Sequence, residues 1–335
     1  MRSVSIHSLR ENDVLGLPIY NAEGKVLVNS DVKLTKRIIE RLIALGISEV
    51  CVNDEISEGI NMYDSISQKI KNKSVKHLQD FNLDKAMNDA CKIVEELKYH
   101  SDIYEYFNTK TFDNYTYEHC IAVSVYATMM GFACGFNEKQ CQNLAIAGIL
   151  HDLGKRCIDG SILHKPSKLT VDEFEQIKKH PGYGFNMVRE NHMISSTVKT
   201  SIYEHHENED GSGYPRGLKG NEIYKFAKII HIVDVYDALI SKRPYKEPMR
   251  PKDAIDYIIE KTGSMFDEYY VDIFIQIIPA YPRGCTVELN DGRKAIVIKN
   301  YRGDIYRPMV RIIDTKEVIQ LQKTPDLYIN RQDVD

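Results

Sequence analysis

The stretch of chain between His119 and Glu138 carries no charged side chain, and this limits what the chain can fold into. An uncharged segment of this length is buried, either in a bilayer or in the interior of a protein. Ser124, Thr128 and Gly131 interrupt its apolar character, which favours the protein interior. The segment therefore predicts a core helix of an α-helical domain, and no membrane span is expected.

Helical spacing of apolar residues continues on both sides of this core helix. From about residue 111 to residue 280 the chain reads as helix after helix, with no run of alternating strands. Residues 61–110 contain two amphipathic, polar-rich pieces and are predicted to be a helical connector. Connectors of two helices often pair between chains, so this connector could join two copies of the chain in a homodimer.

Strand patterns are confined to the two ends of the chain. Residues 1–60 alternate short apolar runs with turn signals, among them a hairpin turn at Ala22-Glu23-Gly24, and contain one helix that ends at Gly46. Residues 281–335 have β-branched runs around a two-residue Asn-Asp or Asp-Gly turn. The predicted fold class is mainly α, with an all-helical domain at 111–280 between a small α+β module at 1–60 and a small β segment at 281–335.

The charge balance argues against long nucleic acid as the main ligand. The chain has 44 Lys and Arg residues against 48 Asp and Glu residues, and its formal charge is −4, whereas nucleic-acid-binding domains are usually basic. A small phosphate ester stays compatible, because a metal cluster and a few local cations can supply the positive charge. The cysteines form no CxxC pair, which indicates reduced thiols, and the first residues lack the apolar run of a signal peptide. The expected location is the cytoplasm.

The predicted helical domain carries side chains of the kinds that bind metal ions. Imidazole nitrogens and carboxylate oxygens bind Fe, Mn or Zn, and helices present them on a stiff frame. The candidate ligands are His119, His151, Asp152, His180, His205, His206 and Asp234. Seven side chains suffice for two ions if one carboxylate bridges both ions. Asp152, which directly follows a histidine, is the natural bridge.

Each of these residues also has an explanation that needs no metal. A lone histidine on an apolar face, such as His119, is more often a hydrogen-bonded core residue. One of the adjacent His205 and His206 could simply be exposed, because neighbours on a helix point about 100° apart. Asp152 could end a helix that Gly154 caps. Taken one at a time, the residues do not decide between the two explanations.

The sequence contexts of these residues form six blocks in a fixed order. The blocks read YTYEHCIAVSVYA, ILHDLGK, ILHKPSKLT, EFEQIKKHPGYG, HHENEDGSGYPRGL and IIHIVDVYDALISKRPYK. Together they resemble the HD-GYP phosphodiesterases, a branch of the HD-domain phosphohydrolases, with HD at 151–152 and GYP at 213–215. The resemblance covers about residues 111–280 and implies an all-helical HD-GYP domain there.

The resemblance implies a metal-dependent phosphodiesterase of bacterial signalling. Its expected substrate is cyclic di-GMP, which is hydrolysed by a metal-bridging hydroxide. The sequence leaves open whether hydrolysis stops at linear pGpG or continues to GMP. Two divalent ions, Fe or Mn, are expected: one held by His119, His151, Asp152 and Asp234, the other by Asp152, His180, His205 and His206. In some members a glutamate four residues before the first histidine helps to hold a third ion. Tyr115 stands at that place here, and a phenol with a pKa of about 10 is a poor substitute, so two ions are expected.

Further residues match the family pattern for catalysis and substrate binding. Lys155 lies one turn after Asp152 and is suited to pair with a phosphate oxygen or to stabilise the leaving group, so these two are the expected catalytic residues. The expected substrate-binding residues are Asp113, Lys155, Tyr214, Asp237, Arg243 and Lys246. The loop around Tyr214 shapes the pocket rim or meets a partner, such as a diguanylate cyclase or another signalling protein. His231, one turn before Asp234, is expected to pack in the core.

Two alternatives stay open from the sequence. One is a receptor that binds cyclic di-GMP without hydrolysing it, and Tyr115 is the departure from the pattern that supports it. The other is an HD phosphohydrolase that acts on a different nucleotide. The intact set of candidate ligands favours the enzyme over the receptor, and the GYP block favours cyclic di-GMP as the substrate.

Overall fold

The described part of the chain divides into two compact units. The computed structural model describes residues 1–21, 25–47, 49–60, 66–98, 115–165, 167–241 and 248–332. The first unit consists of Met1–Ser65, Ser101–Tyr115 and Ile275–Asp335, and the second consists of Ile66–His100 and Thr116–Phe274. The predicted domain boundaries near residues 60, 110 and 280 stay a proposal.

The first unit is built mainly from antiparallel strands. Its elements are β1 (Arg2–Ser5), β2 (Val14–Leu15), β3 (Ile19–Tyr20), β4 (Val26–Val28), α1 (Lys36–Ala44), β5 (Glu49–Asn53), β6 (Thr286–Leu289), β7 (Lys294–Lys299), β8 (Met309–Ile312), β9 (Val318–Gln320) and β10 (Ile329–Gln332). They form a sheet in the order β1-β5-β2, a sheet in the order β10-β6-β7-β8-β9, and the pair β3-β4. Helix α1 begins after Thr35, whose hydroxyl accepts a hydrogen bond from the Ile38 N–H, and Gly46 follows it with φ of 77°. The predicted helix that ends at Gly46 is therefore confirmed.

The two predicted hairpin turns have different outcomes. The turn at Ala22-Glu23-Gly24 lies outside the described residues, between the paired strands β3 and β4. The two-residue turn predicted between β6 and β7 is wrong, because the Leu289 N–H donates to the Arg293 carbonyl at 2.9 Å and encloses three residues. Gly292, the last of these three, has φ of 86°. A left-handed glycine in this place is typical of three-residue hairpin loops.

The second unit is built from helices joined by loops and turns. Its helices are α2 (Gln68–Gln79), α3 (Leu83–Leu97), α4 (Tyr115–Ala133), α5 (Glu138–Leu150), α6 (Gly160–Leu163), α7 (Val171–Ile177), α8 (His180–Val188), α9 (Ser196–Glu204), α10 (Lys225–Ile240), α11 (Pro251–Glu260) and the start of α12 (Glu268–Ile277). Among the described residues, no helix combines the length and apolar character needed to cross a bilayer. A mainly α fold with small sheets contributed by both ends of the chain is confirmed.

Helix α4 is the core helix that the uncharged segment predicts. Its residues from His119 to Gly131 are all buried. The hydroxyl of Ser124 donates to the Ala145 carbonyl at 2.8 Å, and that of Thr128 donates to the Ser124 carbonyl at 2.7 Å, so both buried hydroxyls have partners. A Cβ atom on Gly148 would lie 2.9 Å from the Cα of Ser124, so this glycine lets α5 pack directly against α4.

Candidate metal centre

Seven buried or half-buried side chains of the second unit form two adjacent clusters of ligand atoms. One cluster contains His119, His151 and Asp234, and the other contains Asp152, His180, His205 and His206. Within each cluster, the ligand atoms all lie within 4.8 Å of one another. Segments far apart in sequence therefore converge in a geometry that could hold metal ions, and all seven sequence-predicted metal ligands belong to it.

Asp152 faces both clusters with different oxygen atoms. Its Oδ2 atom lies 3.4 Å from His151 Nε2 and 3.8 Å from His119 Nε2. Its Oδ1 atom lies 3.3 Å from His180 Nε2 and 4.0 Å from His205 Nε2. One carboxylate thus lies between the two groups of imidazoles, which is the geometry that a bridging ligand requires.

Three of the histidines are oriented by backbone carbonyls three residues earlier in the chain. The Nδ1 atoms of His151, His180 and His205 lie 2.7, 2.8 and 2.8 Å from the carbonyl oxygens of residues 148, 177 and 202. These carbonyls lie in the last turns of α5, α7 and α9, where helix carbonyls lack partners within the helix. Because a carbonyl only accepts, Nδ1 carries the hydrogen and the Nε2 lone pair is left to bind a metal.

The fourth oriented histidine, His119, lies between two carboxylates of α10. Its Nδ1 atom is 2.7 Å from Asp237 Oδ2, and its Nε2 atom is 2.9 Å from Asp234 Oδ1. Asp237 is buried, with a relative exposure of 2%. A carboxylate behind a histidine fixes the imidazole tautomer and makes the nitrogen on the other side a better ligand.

The charges of the two clusters suit cation binding. Burial alone would raise the pKa of Asp152, but Lys155 and His151 hold that pKa well below its usual range. Burial likewise opposes ionisation of Asp234, and the neighbouring His119 and His151 hold the pKa of this carboxyl well below its usual range. Burial, with His151 and His180 nearby, lowers the pKa of His205 well below its usual value. Ionised carboxylates and a neutral imidazole are the protonation states that bind metal ions.

Two buried atoms at the centre lack hydrogen-bond partners among the described residues. They are Nε2 of His151 and Oδ1 of Asp152. Leaving a buried polar atom unsatisfied costs about 1–3 kcal/mol. One divalent cation beside His151 and another on the Oδ1 side of Asp152 would satisfy these acceptors, so the side chains present fit metal ions.

The turn after the HD pair brings Lys155 to the centre. Lys155 Nζ lies 2.5 Å from Asp152 Oδ2. A Cβ atom on Gly154 would lie 1.9 Å from the His180 carbonyl oxygen and 2.4 Å from the Gly184 nitrogen. The explanation of Gly154 as a helix cap is wrong, because α5 ends at Leu150 and Gly154 lies inside the 3₁₀ turn Leu153–Cys157. This glycine instead allows the turn to lie directly on the backbone of α8.

The ring of Tyr214 contacts His206, a member of the cluster that contains Asp152. The rings of Tyr214 and His206 are stacked, with centroids 4.8 Å apart and an angle of 27° between their planes. Lys178 Nζ lies 5.9 Å from the centroid of the Tyr214 ring. Burial raises the pKa of Tyr214, so its phenol is protonated at neutral pH.

Some predicted site residues lie outside the described residues. Asp113, Arg243 and Lys246 are among them, and the side chain of Tyr115 is not described either, although α4 begins there. A substrate contact of Asp237 also stays a prediction. Its hydrogen bond to His119 is a role that the sequence analysis did not assign.

Glu207, a buried acid that directly follows the His205-His206 pair, was not among the predicted site residues. Its Oε1 atom accepts from the Arg216 N–H at 2.7 Å and its Oε2 atom from the Leu218 N–H at 2.9 Å. The sequence signal that could have found it is the position of an acidic residue directly after two candidate ligands and before a glycine-rich loop. His231 is buried as expected, with Nε2 3.1 Å from Asn208 Oδ1.

Comparisons with known proteins agree with this geometry. The HD domain family matches residues 108–269. The cyclic di-GMP phosphodiesterase PA4108 of Pseudomonas aeruginosa is 34% identical over 203 residues, which are 61% of this chain and 49% of that protein. The 3'3'-cGAMP-specific phosphodiesterase 2 of Vibrio cholerae is 34% identical over 159 residues, which are 47% of this chain and 30% of that protein. The chain thus spans about half the length of the first relative and less than a third of the second.

A solved structure shares the fold. Bd1817, a HDG"Y"P protein from Bdellovibrio bacteriovorus, aligns with a TM-score of 0.50 and 14% identity, over 81% of this chain and 97% of that chain. At this identity the likeness speaks for the fold alone. Residues 108–269 match the HD domain family in sequence, and the helical fold and the converged candidate ligands agree with that match.

Proposed function

We propose that this protein is a metal-dependent phosphodiesterase that hydrolyses a cyclic dinucleotide, with cyclic di-GMP as the substrate. The observation that carries the proposal is the position of Asp152 between two clusters of histidines, with one oxygen toward each. Two cations held a short distance apart are the arrangement that many phosphodiester hydrolases use.

Two divalent ions, Fe or Mn, would be held by the two clusters. His119, His151 and Asp234 would hold one ion, and His180, His205 and His206 would hold the other, with Asp152 shared between them. When bound, such ions supply Lewis acidity and bring the pKa of water toward neutrality, so that hydroxide is available to attack phosphorus. Mixed imidazole and carboxylate ligands agree with Fe or Mn.

The chain's own residues would orient the substrate and balance its charge. The ammonium of Lys155 lies beside Asp152 and would pair with a phosphoryl or leaving oxygen, where negative charge grows during the reaction. Asp237 would keep His119 in the required tautomer. Tyr214, stacked on His206, would form one wall of the substrate pocket.

The choice of substrate rests on the relatives and on predicted contacts. The Pseudomonas relative is named for cyclic di-GMP, and the Vibrio relative for 3'3'-cGAMP. We propose that Asp113, Arg243 and Lys246 contact the bases or phosphates, since a guanidinium can grip a guanine edge or a phosphate with two hydrogen bonds. Because the Vibrio relative is specific for a hybrid dinucleotide, 3'3'-cGAMP is the second candidate substrate.

The remaining expectations are part of the same proposal. Hydrolysis would give linear pGpG, and a second cleavage would give GMP. A homodimer through the connector helices, a diguanylate cyclase or other signalling partner at the loop around Tyr214, and a cytoplasmic location stay predictions.

The test combines metal analysis with product identification. Protein purified without oxygen, with its metal content measured, is given cyclic di-GMP, 3'3'-cGAMP and cyclic di-AMP, and the products are separated by chromatography. We expect about two ions per chain and fastest turnover of cyclic di-GMP. Loss of an outer partner of a metal ligand costs about 10–100-fold, so Asp152→Asn, which alters a ligand, should cost more than about 100-fold.

The matched control is Asp172→Asn, at an exposed position in the first turn of α7. This variant should keep the activity of the unmodified protein. Binding of cyclic di-GMP without turnover by the metal-loaded protein would overturn the proposal in favour of a receptor, and full activity of Asp152→Asn would overturn the assigned centre.

A further inference from the structure

One histidine of the centre is held differently from the other four. His151, His180 and His205 each donate from Nδ1 to a backbone carbonyl, and His119 donates to a carboxylate. The imidazole of His206, in contrast, makes no hydrogen bond to a described residue. Metal-binding histidines almost always have such a partner, because it fixes the direction of the ligand lone pair. Another contact must therefore hold this ring.

The contact that replaces the hydrogen bond is the ring of Tyr214. It lies nearly parallel to His206, at 27° and 4.8 Å, so it covers one face of the imidazole. The ring centroids of His205 and His180 lie 4.2 and 5.0 Å from that of His206, but both residues are candidate ligands of the same cluster and are not an independent support for its ring. His231 meets His206 only edge-on at 6.1 Å. Among the described residues, Tyr214 is thus the stacked neighbour that does not itself belong to the cluster.

The loop that carries Tyr214 is fastened to the segment that carries His206. The Tyr214 N–H donates to the His206 carbonyl at 3.0 Å. The buried carboxylate of Glu207 accepts two N–H groups on the far side of the tyrosine, at Arg216 and Leu218. Gly213 has no room for a side chain, since a Cβ atom there would lie 2.2 Å from the Asn208 nitrogen. These contacts fix the height of the tyrosine ring above the imidazole.

We propose that Tyr214 is a positioning residue for the metal ligand His206, and that Glu207 holds the loop in the position that this stacking requires. The inference rests on the metal-binding part of the proposed function. It gives the tyrosine a task that is independent of any contact with substrate: the flat ring limits rotation of the imidazole, as the carbonyls do for the other ligands. The aromatic ring is needed for this task, and the phenolic hydroxyl is not.

The experiment measures metal binding rather than turnover. Mn²⁺ is titrated into metal-free protein, and free Mn²⁺ is followed by electron paramagnetic resonance. Tyr214→Ala should weaken one of the two Mn²⁺ sites by about 10- to 100-fold, the usual effect of removing an outer partner of a metal ligand. Tyr214→Phe keeps the ring and the stacking, so both sites should stay within about threefold of the unmodified protein. Glu207→Gln should shift the same site as Tyr214→Ala, because an amide offers one acceptor oxygen where two N–H groups need partners.

The matched control is Tyr269→Ala, an exposed tyrosine of the same unit, which should leave both sites unchanged. Circular dichroism verifies that each variant keeps its helices. Unchanged Mn²⁺ affinities in Tyr214→Ala would overturn the inference while leaving the proposed function intact. Equal weakening in Tyr214→Phe would also overturn it, because the hydroxyl and not the ring would then be the active group. Absence of Mn²⁺ binding by the unmodified protein would instead overturn the proposed function.

Discussion

At the scale of single residues, His119 depends on two aspartates that occupy one face of α10. Asp234 and Asp237 are three residues apart, so one helical turn presents both carboxylates to the same imidazole. Each contacts a different ring nitrogen, at 2.9 and 2.7 Å. Asp234 is thereby placed among the candidate ligand atoms, and Asp237 fixes the tautomer of His119 from the opposite side of the ring.

Replacing Asp237 by asparagine should therefore weaken the cluster of His119, His151 and Asp234. An amide can turn its NH₂ group toward Nδ1 and favour the wrong tautomer, and the lost charge makes the imidazole a poorer ligand. We expect one Mn²⁺ site to weaken by about 10- to 100-fold, with helices α4 and α10 retained. The measurement is the same Mn²⁺ titration, with the exposed Asp256→Asn as the control. An unchanged affinity would mean that the hydrogen bond to Asp237 has no part in metal binding.

The convergence of the seven candidate ligands could be predicted because they lie in short blocks whose order and spacing are visible in the sequence. The partners behind them could not. Whether Asp237 faces His119 or a substrate depends on the distance between α4 and α10, which no local pattern encodes. Glu207 is similar, because its two hydrogen bonds join residues on the far side of a loop whose path is set by the folded structure.

At the scale of elements, the turn after the HD pair and helix α8 are in direct backbone contact at Gly154. This contact brings His180, the first residue of α8, to the Oδ1 side of Asp152. The packing is possible only without a side chain, since the nearest backbone atom would lie 1.9 Å from a Cβ. One glycine thus sets the distance between two elements that each carry a candidate ligand.

Gly154→Ala should push α8 away from the turn. Overpacking of this kind typically costs about 1–3 kcal/mol of unfolding free energy, and the displacement of His180 should also weaken one Mn²⁺ site. Gly160→Ala is the control, because the nearest atom to its Cβ would be 3.9 Å away, and its effect should stay within about 0.5 kcal/mol. Urea unfolding followed by circular dichroism measures both variants, and equal stabilities would contradict this account of Gly154.

Element types were easier to predict than element ends. The uncharged segment predicts the buried helix α4, because the segment is too long for an ordinary strand and its mostly apolar residues suit a helix buried on all sides. The loop between β6 and β7 was predicted one residue too short, since the run Asn290-Asp291-Gly292 suits a turn of either length. The hydrogen bond from Leu289 to Arg293 decides the length, and it belongs to the paired strands rather than to the turn residues.

At the scale of the whole molecule, all seven candidate ligands belong to one of the two compact units. They lie within Thr116–Phe274, whereas the strands β6 to β10 belong to the other unit. Ligands that bind only the folded state add their binding free energy to its stability. Metal binding should therefore protect the helical unit and leave amides of the strand unit unaffected.

Hydrogen exchange measured by mass spectrometry tests this at peptide resolution. At free Mn²⁺ about 100-fold above the dissociation constant, the stabilisation is about 2.7 kcal/mol, which slows globally exchanging amides by about 100-fold. We expect this slowing in α5, α9 and α10, its reversal by EDTA, and no change in β6 to β8. Equal slowing in both units, or in neither, would contradict the assignment of metal binding to the helical unit alone.

Because one carboxylate turns an oxygen toward each group of imidazoles, two cations held as proposed would not bind independently. Occupation of one position would change the orientation and charge that Asp152 offers at the other position. The factor by which the first cation alters the affinity for the second cation is necessarily the factor by which the second alters the affinity for the first. Loading of the proposed two-ion centre would thus be described by three constants, two intrinsic and one for their coupling. An apparent metal affinity measured at one position would therefore depend on the occupancy of the other position.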